Sequence, residues 1–378
     1  MIVTNSKLVR ERLRHAMASR SLVRIVRDIR GADKLVGFVL AVSEQLLLLH
    51  LASDKVFLNG YSAVRIKDIK SVRVLGPDEF FSRAFAHYGY LPVEPGGVRL
   101  QSMTALLRSA GSRFPLVTIH VERDDPGVCF IGQVLHVGGG WLQLGFITPQ
   151  AEWEEGVRSF PLGDVTRVDF DRQYERALHA LAREASDLTP GDVFGDGVMR
   201  SAPLGGLLME AKRAKSLVRV ERGIPRTMSL HGFVLTISDQ IVLLHYADSD
   251  IYLDGYVAIR PNDITGVTAL GPDDFFSRAF AYYRYLPVEP DGLDARSMSS
   301  LLRTGGPRFP LTTIYREWVN PNVCGIGRFV SVGGGWLRMH SITPQAKWES
   351  EEESARLSEI TRIEFGGRYE QALAAVAR

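Results

Sequence analysis

The chain has 378 residues, of which 45% are hydrophobic and 23% charged, a balance that fits two or three globular domains and excludes a disordered chain. Its formal charge of +2 is too small to argue for nucleic acid by itself. No apolar run approaches the roughly 20 residues that cross a bilayer, and the polar N-terminus lacks the apolar core of a secretory signal.

Residues 21–182 and 216–377 align at a constant offset of 195 without a gap, and about half the positions are identical. The chain therefore reads as one unit written twice, at 6–183 and 201–378. The connecting stretch 184–200 is a linker marked by Pro190-Gly191 and Asp196-Gly197. The basic opening stretch 6–20 could pass for a targeting helix, but its position recurs internally at 201–215, which makes both structural.

In chain order, Val9, Leu13, Ala16 and Met17 share one helical face. Strands follow at 22–27, 37–42 and 46–49, the last so uniformly apolar that burial on both faces is expected. Asn59-Gly60 and its counterpart Asp254-Gly255 carry type I′ turn chemistry, which predicts a hairpin there. A strand at 67–74 closes a set of five.

Pro77, Asp78 and Glu79 suit a helix N-terminus, and Phe81, Ala84, Phe85 and Tyr88 predict its buried stripe. A second helix carries Met103, Leu106 and Leu107, with Ser102 as N-cap and Gly111 near its stop. Strands return at 114–122, 129–137, 141–147 and 164–170, and a closing helix carries Tyr174, Ala177, Leu178 and Leu181.

A fainter repeat lies inside the unit. Gly37-x-Val39-Leu40-x-Val42 echoes Gly132-x-Val134-Leu135-x-Val137, and Asp68-Ile69-x-x-Val72 echoes Asp164-Val165-x-x-Val168. The predicted fold is α+β, a tandem duplicated unit with two small five-stranded barrels in each copy, joined and flanked by helices. The barrels fall at about 20–76, 113–171, 215–271 and 308–366.

The opening helix, the 37–42 and 46–49 strands and the 63–72 strand pair together resemble the Sm-like, or SH3-like, small-barrel family. The unit also resembles bacterial proteins of no assigned activity that end in a Tyr-Glu-x-Ala-Leu helix, here at 174–178 and 369–373. The Sm family's RNA pocket uses an Asp and an Asn in one loop and an Arg-Gly pair in another. Here the first loop is Ser43-Glu44-Gln45 and no Arg-Gly pair follows Arg65, so the resemblance implies the fold rather than uridine-rich RNA binding.

No catalytic, cofactor or metal-ligand signature emerges. Gly138-Gly139-Gly140-Trp141 lacks the lysine and following helix of a phosphate loop and reads as a hairpin turn. Cys129 and Cys324 occupy one repeated position, form no CxxC pair and read as small buried strand residues in a reducing cytoplasm. His50 and His245 are the one repeated histidine position and read as structural.

Two surfaces remain as candidates. Trp153 and Trp348 head an acidic loop whose second copy contains Glu351, Glu352 and Glu353, and they mark a protein contact or self-association surface. The basic segments 6–30 and 201–225 carry Arg10, Arg12, Arg14, Arg20, Lys212, Arg213 and Lys215, which would meet RNA phosphates or form a solvated face. The leading expectation is a non-enzymatic cytoplasmic binding scaffold, with RNA binding as the alternative.

Overall fold

A computed structural model describes residues 6–182 and 204–378, so the expected linker at 184–200 lies outside the described residues. The chain divides into two compact units, Met1–Gly191 and Asp192–Arg378. In the first, α1 (Ser6–Ala18) leads into β1 (Leu22–Arg27), β2 (Leu35–Val42), β3 (Leu46–Ala52), β4 (Leu58–Arg65) and β5 (Ile69–Val74). Helices α2 (Phe80–His87) and α3 (Met103–Arg113) follow. The unit ends with β6 (Val117–His120), β7 (Cys129–Gly138), β8 (Trp141–Phe146), β9 (Arg158–Pro161), β10 (Arg167–Phe170) and α4 (Gln173–Ala180).

The second unit repeats this order. It runs α5 (Leu204–Ala214), β11 (Leu217–Arg222), β12 (Leu230–Ile237), β13 (Val242–Asp248), β14 (Tyr252–Ile259), β15 (Ile264–Ala269), α6 (Phe275–Tyr282) and α7 (Met298–Gly305). Then come β16 (Thr312–Tyr315), β17 (Cys324–Gly333), β18 (Trp336–Ile342), β19 (Trp348–Arg356), β20 (Arg362–Phe365) and α8 (Arg368–Ala375).

The sequence predicts two separate barrels per unit; the structure has one continuous antiparallel sheet of ten strands in each. The order is β5-β1-β2-β3-β4-β10-β6-β7-β8-β9, and the second unit matches it strand for strand. Each half keeps the same internal order, its fifth strand beside its first, as the fainter sequence repeat implies. The halves stay open because β4 pairs with β10, so each uses the other to cover an edge.

This seam explains the leucine run. Leu47 and Leu49 face a core shared with Val9, Leu13 and Ala16 of α1, while Leu46 and Leu48 face a second core with Leu106, Leu107 and Ala110 of α3. Burial on both faces stabilises the strand by about 1.5–3 kcal/mol per leucine.

Three local readings are corrected. Asn59-Gly60 is not a hairpin turn but lies inside β4, and Asn59 Oδ1 accepts the Gln173 amide at 3.0 Å to cap α4. Gly60 has φ +67, and a Cβ there would sit 2.7 Å from the Asp171–Arg172 backbone; Asp254 likewise accepts the Arg368 amide at 2.7 Å. Gly111 does not stop α3 but lies within it, where a side chain would strike Val134 at 2.5 Å. The buried face of α2 is Phe80, Ala84 and Phe85, with Tyr88 exposed, because the helix starts three residues after Pro77 and ends at His87, leaving Tyr88 as its C-cap.

Behind the seam lie buried charges. Arg27, at the end of β1, donates through both terminal nitrogens to Glu122, and both side chains are almost fully buried. Thr166 Oγ1 donates to the same carboxylate at 2.6 Å. Burial opposes ionisation of Glu122, but these donors outweigh it and hold its carboxyl below the usual range. The second unit repeats the arrangement with Arg222, Glu317 and Thr361. Arg27→Met would strand a buried carboxylate and is expected to lower the stability of the first unit by about 3–5 kcal/mol in urea unfolding. Arg27→Met with Glu122→Leu should recover most of that loss.

Candidate interaction surface

Among the described residues, the strands at the two ends of each sheet pair with one strand only, β5 and β9 in the first unit and β15 and β19 in the second, although the Trp348 amide at the start of β19 donates to the Arg378 carbonyl at 3.1 Å. Their outward amides and carbonyls are places where a further strand can add. The edges differ sharply. β9 spans four residues and contains Pro161, which has no amide to donate. β19 spans nine residues without proline and exposes Glu349, Glu351 and Glu352.

Glu351, Glu352 and Glu353 therefore do not sit at a loop tip, as the sequence suggests. They occupy the middle of β19, with Glu352 opposite His340 and Glu353 opposite Met339. In the first unit the equivalent stretch makes only the bridge between Ile147 and Trp153 before β9 begins. Trp348 opens β19, stacks on His340 with ring centroids 5.0 Å apart and lies 4.8 Å from the Arg328 guanidinium. Both tryptophans are half-buried within their own units.

A feature the sequence reading missed sits beside β19. In the first unit Phe130, Phe146 and Phe160 close this end of the sheet. Phe130 lies 6.3 Å from Phe146 and 4.8 Å from Phe160, and the Arg158 guanidinium covers Phe146 at 4.0 Å. The corresponding residues of the second unit are Gly325, Ser341 and Ala355. Three phenyl rings are gone; a groove of about 490 Å³ lined by Cys324, Gly325, Ser341 and residues 349–353 lies at two of their positions, while Ala355 is buried in the core.

Arg158 is replaced by Glu353, whose carboxylate accepts from Ser341 Oγ at 3.0 Å and faces Arg316 Nη2 at 3.4 Å. A half-buried aromatic end has become an open acidic one. The signal is present in the aligned units, but the three positions lie on different strands, so only the ladder brings them together. Among the described residues no group of three or more His, Cys, Asp or Glu could hold a metal ion.

The cysteines are not buried strand residues. Cys129 and Cys324 are exposed at the first positions of β7 and β17. Partial burial of the thiol, then Asp169 and Glu175, push the Cys129 pKa up, and Glu364 and Glu370 add to burial at Cys324. Neither thiol is poised as a nucleophile.

The basic candidates are partly engaged. Arg10 and Arg14 approach Glu44 at 3.3 and 3.9 Å, and Lys212 approaches Glu289 at 3.7 Å. Arg12 and Arg213 are exposed on α1 and α5. Arg20 and Lys215 adopt positive φ values of 49° and 51° just past those helices, so the position serves the chain reversal into the first strand.

No protein-family profile and no curated protein matches this chain. The crystal structure of the four MBT repeats of Drosophila melanogaster Sfmbt, in complex with the peptide RHR (me)K VLR, aligns at 10% identity. It covers 91% of this chain and 88% of that one with a TM-score of 0.12, too low to carry an argument. Among the described residues no helix is long and apolar enough to cross a membrane.

His50 and His245 are structural in both units. Each ring accepts the amide of the α2–α3 or α6–α7 connector through Nδ1, from Val93 and Val288 at 3.1 Å, and each stacks on a tyrosine at 4.8 Å. Burial lowers both pKa values from 6.5 to about 4. The unfolded chain then binds more protons than the folded one between those values, so stability falls as pH drops from about 6.5 to about 4. Urea midpoints across that window should show the decline, and His50→Gln with His245→Gln should flatten it.

Proposed function

We propose that the chain is a non-enzymatic binding scaffold whose second unit receives an extended protein segment along β19, with a cationic side chain seated in the adjacent acidic groove. The observation that carries this reading is a paired change at one end of one unit. The aromatic closure is lost and the edge strand is lengthened together, while the first unit keeps Phe130, Phe146, Phe160 and the Pro161 edge. An added strand would draw affinity from main-chain hydrogen bonds and selectivity from the groove.

In this reading each half is an Sm-like or SH3-like small barrel opened along one side to lend its edge to its neighbour. The exposed free thiols suit a cytoplasmic setting. Binding of RNA through the opening segments is the weaker reading, because Arg10, Arg14 and Lys212 already face carboxylates.

Fluorescence anisotropy with labelled extended peptides alternating Arg and Val, acidic counterparts, and an RNA pool separates these readings. The basic peptides should bind at low salt and weaken at about 0.5 M, where screening acts within a few ångströms. Gly325→Phe with Ser341→Phe should fill the groove and reduce peptide affinity at least ten-fold without lowering the melting temperature. Replacing Glu351, Glu352 and Glu353 by Gln should reduce it likewise. Equal binding of acidic peptides, or preference for RNA, would remove the scaffold reading.

A further inference from the structure

We propose that the outward face of β7, β8 and β9 receives an amphipathic helix of a partner protein, one with an apolar stripe and a basic last turn. The face belongs to the first unit, so the proposal does not depend on β19. Its basis is an equivalent face that is already filled inside the same unit. Leu40, Leu46, Leu48, Tyr61 and Ala63 of β2, β3 and β4 are buried in one core with Met103, Leu106, Leu107 and Ala110 of α3. The second unit does the same, packing Leu235, Ile241, Leu243 and Ala258 with Met298, Leu301 and Leu302 of α7.

The ladders carry these positions into the second half of the unit. Leu48 opposes Ala41 and Ala63, and Gln143 opposes His136 and Ser159 in the same places. Leu46 opposes Arg65 as Trp141 opposes Pro161. Leu40 and Leu135 each sit where their strand shifts register. Tyr61 lies two residues before Ala63, as Val157 lies two before Ser159. The counterparts are apolar but uncovered: Leu135, Trp141 and Val157 are 51%, 50% and 53% exposed, against 9%, 1% and 6% for Leu40, Leu46 and Tyr61.

The second unit closes the same face with its own charged side chains. Arg338 donates to Glu352, and the Arg356 guanidinium lies 5.1 Å from the centre of the Trp336 ring. The first unit has Gln143, Val157 and Pro161 at those three positions. Its indole keeps no such roof, and the face carries no charge at any of them. A contact stripe that fits it must be uncharged too, since a charge brought against it would be desolvated without a partner.

The rim sets the direction of the helix and the charge of its end. Phe114, just past α3, lies 6.3 Å from Tyr61, so α3 ends beside Tyr61 with Arg113 in its last turn. A helix seated in the same way on the second half would end beside Val157, next to the exposed Glu155. An acid at a helix C-terminus opposes the dipole unless a cation stands between them. The occupant therefore needs a basic last turn, as α3 has.

The probe is α3 in trans: a labelled peptide of residues 101–114, in which Met103, Leu106, Leu107 and Ala110 form the stripe and Arg113 the base, with Gly111→Ala to raise helicity. Fluorescence anisotropy on the full chain from about 1 to about 500 μM should show saturable binding. Leu135→Gln with Trp141→Gln should weaken it about ten-fold. Gln143→Arg with Val157→Glu and Pro161→Arg, which lays the second unit's cover over the face, should weaken it as much. Leu135, Trp141, Gln143 and Val157 are exposed, so circular dichroism and melting should stay unchanged. A peptide carrying Leu106→Ser and Leu107→Ser should fail to bind the wild type, a comparison that needs no variant protein. Glu155→Lys should weaken binding of the first peptide and favour one carrying Arg113→Glu. No saturable binding, or binding that ignores both sets of protein substitutions, would overturn the proposal. So would self-association in sedimentation velocity that Leu135→Gln with Trp141→Gln abolishes, because the occupant would then be a second copy. None of these substitutions touches β19, so binding of extended basic peptides there is judged separately.

Discussion

Strand β4 offers its outer row of amides and carbonyls to β10, and the rest of each unit is arranged around that seam. The two strands are about 100 residues apart in the chain, so forming it closes a long loop at an entropic cost that grows slowly with length. What offsets the cost is burial on both sides of β3 and β4. One face covers the core under α1, and the other covers the core under α3. Cross-links from side chains fix the same geometry: Arg65 Nε donates to the Val165 carbonyl at 2.8 Å, and Arg260 reaches Leu357 in the second unit at 2.6 Å.

The buried charges belong to this arrangement rather than to a catalytic one. Arg167 binds Asp169 through two nitrogens, at 2.7 and 2.5 Å, and His120 meets the same carboxylate at 3.2 Å. Burial works against the charge on Asp169, yet Arg167 and His120 hold its carboxyl well below the usual range. Among the described residues no cation touches Glu175; burial pushes its pKa up, and it accepts from Thr118 at 2.5 Å. Such groups are costly to bury and costly to unpair, which makes them better at specifying one packing than at raising stability.

Features that depend on neighbouring residues were legible in the sequence. Ser102 caps α3 by accepting the Ala105 amide at 3.1 Å, and Gly139 and Gly140 turn the β7–β8 hairpin with positive φ. The leucine run and the opening helix were legible for the same reason, since periodicity reports burial. Periodicity does not report which strand lies alongside which, so the seam, and with it the open halves, stayed hidden. Asn59-Gly60 misled because turn chemistry and helix capping ask for the same residues. The phenylalanine exchange was visible at three positions but meant nothing until β7, β8 and β9 lay side by side. The acidic stretch was found, but its placement in an edge strand needed the pairing with β18.

Two units that share about half their residues carry a hazard in folding, because a strand of one could be taken up by the sheet of the other. The differences described above act against such exchange. His120 faces Asp169 in the first unit, whereas Tyr315 reaches the longer Glu364 in the second, at 3.0 Å through its hydroxyl. Swapping β6 with β16 would break both matched pairs, setting Tyr315 against Asp169 and His120 against Glu364. Phe130 placed beside Ala355 and Ser341 would lose its two aromatic neighbours, and Gly325 beside Phe146 and Phe160 would leave a void. Divergence between the copies thus works as a proofreading device for the chain that contains them both.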